Sequence, residues 1–181
     1  LGSVVSSQST SVIKNFSVNA QGTLVTGSDN STGTFAGTLA ADYTAGTLNV
    51  TKIGNGVWTL SGDSSANILG TLNIFGSTAV NTGAISLNAA TGKSGFVTTV
   101  LGEGGILNLN TSSNLLSDRL GGASSIQGTA NDRVFSNRGG VLNYVGGTGI
   151  TENLATVNNL VGQSQWNLTN ANTQSRININ A

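Results

Sequence analysis

Seven carboxylates carry most of the chemistry this chain can offer: Asp29, Asp42, Asp63, Glu103, Asp118, Asp132 and Glu152. The 181 residues contain no His and no Cys. That removes the usual general base, the thiolate nucleophile and the common transition-metal ligands, and it makes a Ser–His–Asp arrangement impossible. What remains is glycoside cleavage by paired carboxylates, which needs two carboxyl groups about 5 to 10 Å apart across one sugar. Adjacent coils of a repeating fold could supply such a pair by accident. The acids are instead thinly spread and sit mostly in turn contexts such as Asp29-Asn30 and Gly62-Asp63, where Asp stabilises local backbone. The expectation is a non-enzyme with no catalytic residues and no cofactor.

Other candidates each have a structural reading beside the functional one. Ser117-Asp118-Arg119-Leu120 and Asn131-Asp132-Arg133-Val134 share an Asp-Arg pair. Stacked on neighbouring coils they would form a charge ladder, read either as solvated ion pairs worth little or as a docking patch. Calcium-binding repeats carry Gly-Gly-x-Gly-x-Asp corners; Gly121-Gly122, Gly139-Gly140 and Gly146-Gly147 lack the following Asp, so no metal is expected. Trp58, Trp166, Tyr43 and Tyr144 are candidates for stacking on sugar rings or for filling the core. Asn-x-Ser/Thr occurs at Asn15, Asn30, Asn49, Asn110 and Asn167, a chance frequency in a chain this rich in Asn, Ser and Thr.

The elements that must position these residues are strands. Apolar runs are short, β-rich and bounded by Gly, Asn, Asp or Ser. They predict strands at Val12–Val18, Thr23–Thr26, Thr34–Leu39, Thr47–Lys52, Val57–Leu60, Ile68–Phe75, Ala84–Leu87, Phe96–Leu101, Ile106–Leu109, Val134–Ser136, Val141–Val145, Thr156–Val161, Gln165–Thr169 and Arg176–Ile179. One helical turn is expected near Leu115–Leu120. A Gly-x-Leu-Asn-apolar signature returns at Gly46-Thr47-Leu48-Asn49-Val50, Gly70-Thr71-Leu72-Asn73-Ile74, Gly105-Ile106-Leu107-Asn108-Leu109 and Gly140-Val141-Leu142-Asn143-Tyr144, with Gly83-Ala84-Ile85-Ser86-Leu87 as a variant. Strand and corner repeated in this way describe a β-solenoid, with coils of roughly 22 to 24 residues. Aligned on this signature, Leu48, Leu72, Ile85, Leu107 and Leu142 form one inward column. The Asn residues point outward, where they can hydrogen-bond up and down the stack.

Composition agrees with a scaffold. Apolar residues make up 37% and charged residues 8%, with seven cations balancing seven anions, against about a quarter charged in a typical soluble domain. No Lys/Arg cluster exists to displace counterions from nucleic acid, and no apolar run approaches the length that spans a bilayer. The sequence starts at Leu1 without Met or a signal peptide, which reads as a processed chain or a fragment.

Val50-Thr51-Lys52-Ile53-Gly54-Asn55-Gly56-Val57-Trp58-Thr59-Leu60-Ser61-Gly62 resembles the autotransporter-associated β-strand repeat, whose members read roughly Leu-Thr-Lys-x-Gly-x-Gly-x-(Trp/Leu)-Thr-Leu-Ser-Gly. Asn131–Ser136 with Gly139–Tyr144, and Glu152–Leu160, look like the rungs between such repeats. The resemblance implies a right-handed parallel β-helix in an exported surface or secreted protein. It implies no enzyme activity, and the motif holds no catalytic residues to carry over.

The reading is an all-β, right-handed parallel β-helix, a single domain over residues 1–181 of roughly eight coils and about 40 Å, with residues 1–21 as an N-terminal cap or exchanged strand. Its expected role is structural: an extracellular or cell-surface shaft, or a filament built head to tail from copies of itself. The assembly surface is assigned to Val12, Phe16 and Val18 at one end and Arg176, Ile177 and Ile179 at the other. Surface polysaccharide is a second partner class; nucleic acid and membrane insertion are not expected. Two alternatives stay open, a carbohydrate-binding or polysaccharide-cleaving β-helix adhesin and a β-sandwich pilin completed by a donated strand.

Overall fold

Alternating apolar residues separated by Gly and Asn corners leave each segment one face to bury, and stacking such segments buries it. The computed structural model describes residues 1–17, 19–41, 46–65, 69–77, 83–120, 133–170 and 175–179, and among them there is no helix. In chain order the strands are β1 (Val12–Asn15), β2 (Gln21–Thr26), β3 (Gly33–Phe35), β4 (Thr38–Ala41), β5 (Thr47–Lys52), β6 (Val57–Leu60), β7 (Leu69–Ile74) and β8 (Gly83–Leu87). They continue with β9 (Phe96–Leu101), β10 (Gly105–Asn110), β11 (Val134–Asn137), β12 (Val141–Gly146), β13 (Thr151–Leu154), β14 (Thr156–Asn159), β15 (Gln165–Asn170) and β16 (Arg176–Ile179).

Two six-stranded sheets form the main faces. The first face runs β2-β5-β7-β9-β11-β14 and the second β3-β6-β8-β10-β12-β15. A third side is built from β1-β4 near one end and β13-β16 near the other, with a bridge between Asp63 and Lys93 in between. All strand pairings are parallel. The chain is therefore a parallel β-solenoid of about five turns, and the antiparallel pairing that a strand-completed sandwich requires does not occur among the described strands.

The registers correct the single column expected from the Leu-Asn signature. On the second face Trp58, Ile85, Leu107, Leu142 and Trp166 do stack in one column. Leu48 and Leu72 belong to the first face, and there Leu72 lies on Val50, not on Leu48. The signature marks both faces because both alternate with the same period of two, so counting it as one mark per coil inflates the number of coils. Six rungs stacked about 4.8 Å apart rise about 24 Å, in place of eight coils and 40 Å. Coils also differ in length: Ile85 to Leu107 is 22 residues, whereas Leu107 to Leu142 is 35.

Three further local differences have plain causes. The expected strand Thr34–Leu39 is two strands, β3 and β4, parted at Ala36-Gly37, where the chain turns from the second face onto the third side. The strand β13 was not anticipated. The expected helical turn at Leu115–Leu120 is absent: Asp118 has a left-handed φ of 55°, and the amides of Arg119 and Leu120 are donated to a carboxylate one coil away.

The core is a continuous apolar cluster running from Phe35 and Leu39 through Leu72, Ile74, Ile85 and Leu87 to Leu142, Tyr144 and Leu154. Burying each such side chain contributes about 1.5–3 kcal/mol. The first rungs are covered by residues 1–6. Ser6 bridges to Phe35, Gly27 donates to the Gly2 carbonyl, and the Trp58 indole N–H donates to the Val4 carbonyl at 2.7 Å.

Candidate functional site

In a solenoid the chemically distinctive places are the corners, the interior polar groups and the two ends. Four charged groups lie inside, among them both arginines that sequence reasoning placed on the surface. Lys52, Arg119, Arg133 and Glu152 are each at most 3% exposed, in a chain with only seven cations. Alternation explains Lys52: it shares the phase of Leu48 and Val50 on β5, whose burial alternates strictly, so its side chain enters the core. Its ammonium donates to the Ile53 carbonyl at 2.6 Å and the Gly54 carbonyl at 3.1 Å, closing the corner that the Lys-x-Gly-x-Gly sequence makes. Burial lowers its pKa. Gly56 of that corner tolerates no side chain, because a Cβ there would collide with the Ser31 carbonyl oxygen.

Arg119 works the same way on the third side. Its guanidinium donates to the carbonyls of Ala89 (2.8 Å), Gly92 (2.9 Å) and Asn114 (3.2 Å). Arg133 donates to the Gly95 carbonyl at 3.0 Å. The surface charge ladder expected from the two Asp-Arg pairs is thus corrected: both arginines are interior pins that satisfy carbonyls of the preceding coil, Arg119 also one of its own coil, since a planar fork of donors reaches several backbone acceptors at once. Asp132 lies outside the described residues. Asp118 meanwhile accepts from the backbone and side-chain amides of Asn153 at 3.0 and 2.8 Å.

Glu152 is the one buried carboxylate among the described residues. Its two oxygens accept from the backbone amides of Arg119 and Leu120, each at 2.8 Å. Burial pushes it up to about 7 against those two hydrogen bonds, and the Asp118 carboxylate on the adjacent coil pushes in the same direction. Among the described residues, Asp118 and Glu152 are the carboxylates that adjacent coils bring together, as a glycosidase pair would require. Both Glu152 oxygens are already engaged by backbone and the residue is 1% exposed, so the arrangement holds two coils together. Asp29 and Asp63 serve their own turns, accepting from Ser31 and Ser65; the Ser31 contacts hold Asp29 below the usual carboxylate range. Asp42 and Tyr43 lie outside the described residues.

The outward asparagines form the anticipated ladder, in part. Asn167 donates to Asn143 at 2.7 Å and Asn143 to Asn108 at 2.9 Å. A second ladder was missed on the third side, where Asn178 donates to Asn153 at 3.0 Å and Asn153 to Asp118. All five Asn-x-Ser/Thr asparagines use their side chains in hydrogen bonds. The aromatic residues weighed as sugar platforms serve the core instead: Trp58 is fully buried and Tyr144 is 4% exposed, while Trp166 packs edge-on against Phe135 at 5.4 Å.

The residues assigned to assembly fall at opposite ends of the same side. Val12 is on β1, which among the described strands pairs only with β4; Arg176, Ile177 and Ile179 are on β16, which among them pairs only with β13. Val12, Phe16 and Ile179 are 57%, 74% and 53% exposed, Arg176 is exposed and Ile177 half-buried. The Lys14 ammonium lies 5.0 Å over the Phe16 ring, and Val18 lies outside the described residues. Among the described residues, nine of the eleven exposed large apolar side chains belong to the terminal coils: Leu1, Val5, Val12, Phe16 and Val25, then Leu160, Val161, Leu168 and Ile179.

No protein-family model, no curated protein and no solved structure matches the chain.

Proposed function

We propose that this protein is a structural, non-catalytic β-solenoid of the extracellular or cell-surface kind, which extends by stacking further β-coils on its ends. The resemblance of Val50–Gly62 to the autotransporter-associated repeat supports the exported setting. The observation that carries the reading is the pairing of free strand edges with apolar residues at both ends of one stack. An unpaired edge exposes a row of N–H and C=O groups that templates another strand. On the third side β16 offers one such edge and β1 the other. A contact between them is head-to-tail and does not close on itself, so it produces a filament.

The test is the assembly state of the 181-residue chain. Light scattering and negative-stain micrographs are expected to show particles that lengthen with concentration. Ile179→Lys with Val12→Lys, both at exposed edge positions, should leave the melting temperature nearly unchanged and the particles monomeric. A wild-type chain that stays monomeric at high concentration overturns self-assembly and leaves the shaft of a longer solenoid as the structural reading.

A further inference from the structure

The corner linking the first face to the second stacks coil upon coil, and at one stretch it carries side chains unlike the rest of the surface. Phe75, Glu103, Arg138 and Gln163 occupy it in four successive coils, following β7, β9, β11 and β14. Backbone hydrogen bonds fix their alignment: Gly76 donates to the Glu103 carbonyl, Arg138 to that of Leu101 and Leu160 to that of Asn137. Three rung steps span about 14 Å along the axis.

Glu103, Arg138 and Gln163 line a groove of about 420 Å³, with Gly104, Gly139 and Gly162 beside them. Each of these glycines has a positive φ, at 69°, 94° and 122°. L-residues disfavour that conformation, so no side chain stands at the same point of three consecutive coils; Gly104 is packed against the backbone of Gly76 and Ser77, while Gly162 is exposed. At Gly139 an added Cβ would make only ordinary contacts, the nearest at 3.7 Å to the backbone of Gly162 and Gln163. Val161, 94% exposed, also lines the groove, and Phe75, 40% exposed, stands one coil before Glu103 with its ring against Gly102.

The polar groups here are uncommitted. Asp29, Asp63, Asp118 and Glu152 are each engaged by amides or hydroxyls. The Glu103 carboxylate and the Arg138 guanidinium have no hydrogen bond or ion pair to any described residue. An acceptor, a fork of donors and an amide therefore face one concavity, next to an exposed aromatic ring.

We propose that this corner groove binds a neutral polysaccharide laid along the solenoid axis. The carboxylate accepts from sugar hydroxyls, the guanidinium and amide donate to them, and the Phe75 ring offers a flat apolar surface for a sugar's C–H face. Neutrality follows from the charges: a polyanion would meet Glu103 and a polycation would meet Arg138, whereas a hydroxyl-rich neutral chain satisfies both.

Affinity electrophoresis of the full chain through gels containing dextran, starch, mannan or a β-glucan tests this, with pectin and chitosan as charged controls. At least one neutral polymer should retard the protein equally at low and high salt, because no net charge is exchanged. Phe75→Ala, Glu103→Ala and Arg138→Ala should each weaken retardation about tenfold, a loss of about 1.4 kcal/mol. The latter two replace exposed side chains and should keep the wild-type melting temperature. Absence of retardation by every neutral polymer overturns the proposal. So does retardation by charged polymers alone, or binding that survives all three substitutions.

Discussion

Glu152 should make this protein more stable as the solution becomes more acidic between neutrality and pH 5, the reverse of ordinary acid denaturation. Its pKa in the fold is raised from 4.5 to about 7. Between those two values the folded chain keeps a proton that the unfolded chain has released. Stability falls with rising pH wherever the native state binds more protons. The contribution is therefore fully present below about pH 4.5 and gone above about pH 7. The shift corresponds to about 3 kcal/mol, and the residue is buried deeply enough for that figure to need little discount for solvent. In a chain of this size it amounts to about 6–12 °C in melting temperature. The assay is thermal unfolding followed by circular dichroism at half-unit steps from pH 5 to 8. The background is unusually quiet, because without His no other side chain of ordinary acidity titrates there. Glu152→Gln should flatten the profile. At pH 5 it should lie about 1–3 kcal/mol below the wild type, because the amide NH2 faces one of the two backbone donors and leaves it unmet, and the two curves should meet or cross toward pH 8. A wild-type profile that is flat or rises toward pH 8, or a Glu152→Gln profile with the wild-type slope, refutes the reasoning.

Two further outcomes follow from hydrogen bonds between coils. Asn143→Ala removes both bonds of the central amide in the Asn108–Asn143–Asn167 ladder and should cost about 1–3 kcal/mol in chemical denaturation, with parallel strand content unchanged. Trp58→Phe keeps a ring in the core but removes the bond to the Val4 carbonyl. It should cost about 1 kcal/mol and release residues 1–6, seen as faster amide exchange at Ser6 while the amides of β8 keep their protection.

Much of this architecture was legible because strand formation here is local. The Gly-bounded alternation at Thr47–Lys52, Val57–Leu60 and Gln165–Thr169 needs no distant partner to be recognised, and those segments are β5, β6 and β15 to within a residue. What sequence left open depends on which residues meet across coils. The Leu-Asn signature could not say which face it marked, and coils of 22 and 35 residues blur any fixed period. The strand β13 was missed because Thr151-Glu152-Asn153-Leu154 carries a carboxylate where alternation calls for an apolar residue. Yet that same alternation placed Glu152 beside Leu154 and Lys52 beside Val50 on inward positions. Read consistently, it would have found two of the buried charges. Arg119 had no such signal, since its partners are carbonyls of Ala89, Gly92 and Asn114. The groove at Glu103 and Arg138 was equally hidden, because it exists only where three corners of unequal spacing come level.

The parallel stacking also bears on how such a chain acquires its shape. Each residue's strand partners lie one turn away in sequence, as Leu72 lies 22 residues after Val50 and Phe135 36 after Thr99, and no pairing waits for the far terminus. Nearest-neighbour arrays of this type nucleate anywhere and propagate. A polypeptide delivered end first, from a ribosome or through a narrow pore, therefore finds a finished rung to grow upon as soon as a single turn has emerged.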